Sequence, residues 1–120
     1  MSNNKRIPAQ EMQAVFLRIL SGYGMTYAKA EICARIFTEN SLDGVYTHGV
    51  NRFPRFVKYI KDGHVNVDAE AEKISAAGAL EQWNGHLGPG ILNALTATKR
   101  AMTMASESGM GCIALATAAT

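Results

Sequence analysis

The chain has 120 residues, enough for one domain or for part of a larger protein. Hydrophobic residues make up 48% and charged residues 18%, a balance that supplies a core and excludes wholesale disorder. A net charge of +2 is too small for a nucleic-acid footprint, and no run of about 18 apolar residues offers a membrane span.

The opening "MSNNKRIPAQEM" carries no apolar stretch of the secretory kind. Cys33 and Cys112 lie far apart with no CxxC partner, so both read as buried hydrophobes in a reducing compartment, and the cytoplasm is expected. Pro8 suits the first position of a helix, and Met12, Phe16, Ile19 and Leu20 follow at helical spacing. Gly22 and Gly24 should end that helix. Thr26 can cap a second one, with Ala30, Cys33, Ile36 and Phe37 as its apolar stripe and its end near Asp43-Gly44.

Residues 44–56, "GVYTHGVNRFPRF", come next and combine an imidazole, a guanidinium and a flexible glycine just before an apolar face. A helix beginning near Gly49 would place His48 and Arg52 one turn apart, facing the same cavity. Arg52 offers a planar fork for a carboxylate, and His48 can give a proton to a carbonyl undergoing reduction. Packing alone accounts for such a stretch as well as chemistry does. Within the predicted helix, Phe53, Phe56, Val57 and Ile60 share an arc of about 100°. Arg55 and Lys58 point away from it, Pro54 begins or kinks the helix, and Asp62-Gly63 closes it.

From Val65 the pattern shortens into a connector and strands near 72–76 and 79–84. "NGHLGPG" runs G-x-x-G-x-G and fails the dinucleotide fingerprint, so it reads as a turn, with His86 in the loop. His64 follows a helix stop and should be exposed. A helix over 89–108 with Gly109 as its stop, then a buried strand over 111–117, completes a βαβ unit. The expected class is α/β, or α+β within this chain alone. Residues 1–70 form a helical subdomain carrying the histidine and arginine, and residues 71–120 the start of an α/β domain. A parallel strand pair calls for cover on both faces, so the chain reads as the front third of a larger protein.

"SLDGVYTHGVNRFPRFVKYIKDG", "GALEQWNGHLGPG" and "ASESGMGCIALA" together resemble the malate/L-lactate dehydrogenase family, which is distinct from the Rossmann lactate dehydrogenases. The similarity runs from about residue 10 to residue 115, with Thr47 where a serine is expected. It implies a non-Rossmann, NADH- or NADPH-dependent reductase of 2-oxo acids, cytoplasmic and homodimeric at full length. The family's proton-donating histidine falls on His48. Its arginine one turn later falls on Arg52, a substrate-binding residue together with Thr47. Most cofactor contacts would come from segments beyond this chain, which alone is expected to be inactive. The closing "ATAAT" departs from the family's Asn- and His-containing stretch. Two other readings remain at this point: a small helix-turn-helix-like binding module, with Arg55, Lys58 and Lys61 on its third helix, and a non-catalytic dimerisation fragment.

Overall fold

A computed structural model describes residues 5–117. The last three residues of "ATAAT" and the first four of the chain lie outside the described residues. The protein is a mixed helical and sheet structure with two compact units, one ending at Lys58 and the other beginning at Tyr59.

The first unit is helical. Helix α1 spans Ala9–Gly22, and Pro8 stands one residue outside it with ψ 138° rather than within its first turn. Its carbonyl still accepts the Met12 N–H at 3.1 Å. Helix α2 spans Tyr27–Leu42 and is capped by Thr26, whose hydroxyl accepts the Lys29 N–H, as its sequence predicts. It buries Ala30, Cys33, Ala34 and Phe37, while Ile36 is half-buried. Helix α3 begins at Phe53 and runs to Lys61, with Pro54 in its first turn, where a missing N–H costs nothing.

All four phenylalanines of the chain meet in this unit. Phe16 stacks on Phe53 with ring centroids 4.0 Å apart, and Phe37 meets Phe53 edge-on at 5.4 Å and Phe56 at 5.2 Å. Offset and edge-on pairs of this kind each add about 0.5–1.5 kcal/mol beyond the area they bury. Helices α1 and α2 therefore meet the start of α3 at one aromatic centre. The intervening segment, residues 44–52, is a loop anchored at both ends.

The second unit holds a three-stranded sheet in the order β1 (Glu72–Ala77), β2 (Leu80–Asn84), β3 (Cys112–Ala116). Strands β1 and β2 are antiparallel with a bulge between Lys73 and Ser75, joined by a tight turn in which Gly78 has φ 62°. Strands β2 and β3 are parallel and connected by α4 (Gly90–Ser108), which ends at a left-handed Gly109. This is the predicted βαβ unit.

Two expectations fail here for one reason. The last strand is not buried, because only one of its faces packs: Ile113 and Leu115 are half-buried, while Cys112, Ala114 and Ala116 are exposed. Cys112 is therefore exposed as well, opposite the exposed Leu80 in register. A continuous apolar run does not tell a one-sided strand from a two-sided one when half its residues are alanine, glycine or cysteine.

Strand β2 carries a buried charge. Glu81 is only 3% exposed, and Arg100 of α4 clamps it through Nε (2.9 Å) and Nη2 (2.7 Å). The Trp83 indole N–H donates to the same carboxylate at 2.9 Å, and Lys73 Nζ lies 3.9 Å away. The Arg100 hydrogen bonds, then that from Trp83, hold the Glu81 carboxyl down to about 2. The same pairing pushes Arg100 further up.

Candidate active site

The histidine loop is built on the last turn of α2. Asp43 caps that helix, and the Val45 N–H turns back to the Asn40 carbonyl at 2.8 Å. One 3-10 turn, Tyr46–His48, follows. Gly49 then reverses the chain at ψ −128°, and the Arg52 and Phe53 N–H groups donate to its carbonyl at 3.0 and 3.2 Å.

This geometry corrects the predicted one. His48 does not start an α-helix; it ends a 3-10 turn, and α3 begins only at Phe53. Arg52 is the residue immediately before α3, and its carbonyl accepts the Phe56 N–H at 3.1 Å. The spacing of four residues thus runs through a turn at Gly49 rather than along one helix face. The positive end of α3 accordingly lies beside Arg52, where it would favour an anion held by that guanidinium.

Hydrogen bonds along the turn set the surroundings of His48, whose own N–H donates to the Val45 carbonyl at 3.1 Å. Its ring is exposed, and Nδ1 lies 3.0 Å from Thr47 Oγ1. Asn40 Nδ2 donates to the His48 carbonyl at 3.0 Å, and the Val50 N–H donates to Ser41 Oγ at 2.8 Å. Gly49 sits buried between them. A Cβ there would run into Ser41 Oγ and come within 2.8 Å of the Ser41 backbone nitrogen, so the contact demands glycine. Arg52 is half-buried, and no carboxylate among the described residues pairs with it. An open groove beside the loop has Lys5, Arg6, Met12, Ser41, Tyr46 and Val50 among its lining residues; neither His48 nor Arg52 is in its lining.

The other two histidines of the chain lie in the second unit. His64 is exposed and meets Tyr59 edge-on at 6.0 Å. His86 adopts φ 51°, with Nε2 3.3 Å from Glu72 Oε1. In the glycine loop around it, the N–H groups of Gly85, His86, Leu87 and Gly88 all donate within the protein, and Pro89 has none. The buried Asn93 locks the loop from inside, its Nδ2 donating to the Gly85 and Gly88 carbonyls at 3.3 Å each. Such a loop leaves those amides with nothing to offer a pyrophosphate, so it does not fit a dinucleotide cradle. Burial pushes the Cys33 thiol up to about 12, which makes it a packing residue. Among the described residues no three His, Cys, Asp or Glu side chains gather to hold a metal, and no helix is long and apolar enough to cross a membrane.

Sequence reasoning missed Asn40, Ser41, Asn93 and the Glu81–Arg100 pair. A signal existed for some of them. Asn and Ser in the last turn of a helix have short polar side chains that reach nearby backbone. In β2, period-two alternation puts Glu81 on the face of Trp83, so an inward carboxylate needs a cation.

The model of the malate/L-lactate dehydrogenase family matches residues 7–119. The 2,3-diketo-L-gulonate reductase of Escherichia fergusonii is 38% identical over 110 residues, which are 92% of this chain and 33% of that protein. A malate dehydrogenase structure from Pyrococcus horikoshii superposes with a TM-score of 0.92 at 26% identity, covering 98% of this chain and 34% of the other. The sulfolactate dehydrogenase of Methanocaldococcus jannaschii gives 0.88 at 25%, covering 93% and 33%. The chain thus spans about a third of the length of each of these relatives.

Proposed function

Since the chain belongs to the malate/L-lactate dehydrogenase family, we propose that it supplies the carbonyl-facing part of a reductase converting a 2-oxo acid to the 2-hydroxy acid. The names of its relatives share one chemistry, a carboxylate beside a carbon that carries a hydroxyl or a carbonyl. A substrate like 2,3-diketo-L-gulonate fits that class.

Hydride adds to the carbonyl carbon and a proton to its oxygen, so each turnover consumes one reduced nicotinamide and one proton. NADH or NADPH supplies the hydride, bound mostly by segments outside these 120 residues, because the glycine loop here offers no cradle. His48 gives the proton to the carbonyl oxygen. In the imidazolium form both ring nitrogens carry protons: Nδ1–H donates to the Thr47 hydroxyl, and the Nε2 proton is delivered, leaving a neutral imidazole that takes a new proton from solvent. Arg52 receives the substrate carboxylate in its planar fork, and the positive end of α3 adds to the attraction. Thr47, next to His48, contributes to substrate binding in this reading. Full-length protein acts in this reading as a cytoplasmic homodimer.

The observation that carries the reading is the exposed His48 ring on a backbone held from both sides of Gly49. The test is consumption of NADH or NADPH by a form of the protein long enough for turnover, offered 2,3-diketo-L-gulonate, other 2-oxo acids and simple ketones. Reduction of 2-oxo acids but not ketones is expected. Equal rates on ketones, or none on any 2-oxo acid, would contradict it.

A further inference from the structure

We infer that Asn40 and Ser41, in the last turn of α2, are positioning residues that fix where His48 delivers its proton. The inference rests on the reading of His48 as proton donor.

Asn40 holds the 3-10 turn at both ends. Its carbonyl accepts the N–H of Val45, just before the turn, and its amide donates to the carbonyl of His48, the last residue of the turn. Ser41 takes the next step along the chain, accepting the Val50 N–H. Between these two grips lies Gly49, the residue with the widest backbone freedom. Within the turn the His48 N–H donates to the Val45 carbonyl and Nδ1 lies by Thr47 Oγ1; the two grips tie that turn to α2, and without them the turn and its exposed ring would move together. Misplacing a reacting group by about 1 Å can cost on the order of 100-fold in rate. The polar clamp therefore does for an exposed histidine what a packed pocket does for a buried one.

Asn40→Asp is the sharpest variant, since it keeps the shape and replaces the donor with an acceptor facing the His48 carbonyl. It is compared with Asn40→Ala, Ser41→Ala and His48→Gln in a form of the protein that turns over a 2-oxo acid. A fall in kcat of about tenfold or more is expected for Asn40→Asp, with KM and the thermal midpoint close to wild type. In the 120-residue chain, the Val50 amide should exchange with solvent faster in Ser41→Ala. Wild-type kcat in Asn40→Asp alongside an inactive His48→Gln would overturn the inference and leave the reading of His48 standing. Equal losses in Asn40→Asp and Asn40→Ala, both with a lowered midpoint, would mean simple packing and also overturn it. Wild-type turnover in His48→Gln would instead remove the reading on which the inference depends.

Discussion

Phe16 of α1 stacks on Phe53, the first residue of α3, at 4.0 Å and an interplanar angle of 20°. That contact closes the loop carrying His48, because Phe53 is where the loop ends and the helix begins. The aromatic centre and the histidine are parts of one local structure. Phe53→Ala should cost about 3–5 kcal/mol of stability, the range for truncating a buried aromatic. Thermal or urea unfolding of the chain measures it. A loss below about 1 kcal/mol would show that the cluster does not organise this unit.

Gly49→Ala should destabilise by about 1–3 kcal/mol, because the new methyl meets the Ser41 backbone and that part of α2 cannot move aside cheaply. Gly22→Ala is the control: nothing lies within 4 Å of its added Cβ, and the residue is helical. It should be neutral or stabilising by up to about 1 kcal/mol. Equal effects at the two positions would contradict the close approach at Gly49.

The helix stripes, the Thr26 cap and the βαβ unit were legible in the sequence because each is written in local periodicity or in a single capping residue. What the sequence misplaced was the frame of His48 and Arg52. Spacing of four residues means a shared helix face only if the helix includes both, and the turn at Gly49 removes that condition. For the clamp from Asn40 to His48 and the Glu81–Arg100 pair, the sequence signals the polar residue but not its partner, for a different reason. They join residues 8 and 19 positions apart, respectively, across separate elements. Cys112 failed because a hydrophobic pattern cannot say whether a second layer covers a strand.

The Glu81–Arg100 clamp makes a pH prediction. The folded-state carboxyl is held near 2, below its ordinary value of 4.5. Its contribution to stability is therefore complete above about pH 4.5 and is lost as pH falls from there through about 2. Glu81→Gln should flatten the acid side of the stability curve in that window and lower stability at neutral pH, where Arg100 is left without its charge partner. Unfolding midpoints of both proteins across the acid range test this. Parallel acid limbs for wild type and variant would contradict it.

Arg52→Lys keeps the positive charge and loses the planar fork. Activity on a 2-oxo acid should fall, chiefly through KM, while activity on the corresponding 2-oxo amide should change little. Equal losses on acid and amide would show that Arg52 does not read the carboxylate.

The most direct measurement of the central claim is the turnover of His48→Gln, a substitution of similar volume that cannot deliver a proton as an imidazole does. It is made in a form of the protein that reduces a 2-oxo acid, with cofactor affinity followed in parallel. Loss of a positioned general acid should lower kcat by about 10²–10⁴-fold and leave NADH binding near its wild-type value. A variant that turns over at the wild-type rate would contradict the assignment of His48 as proton donor.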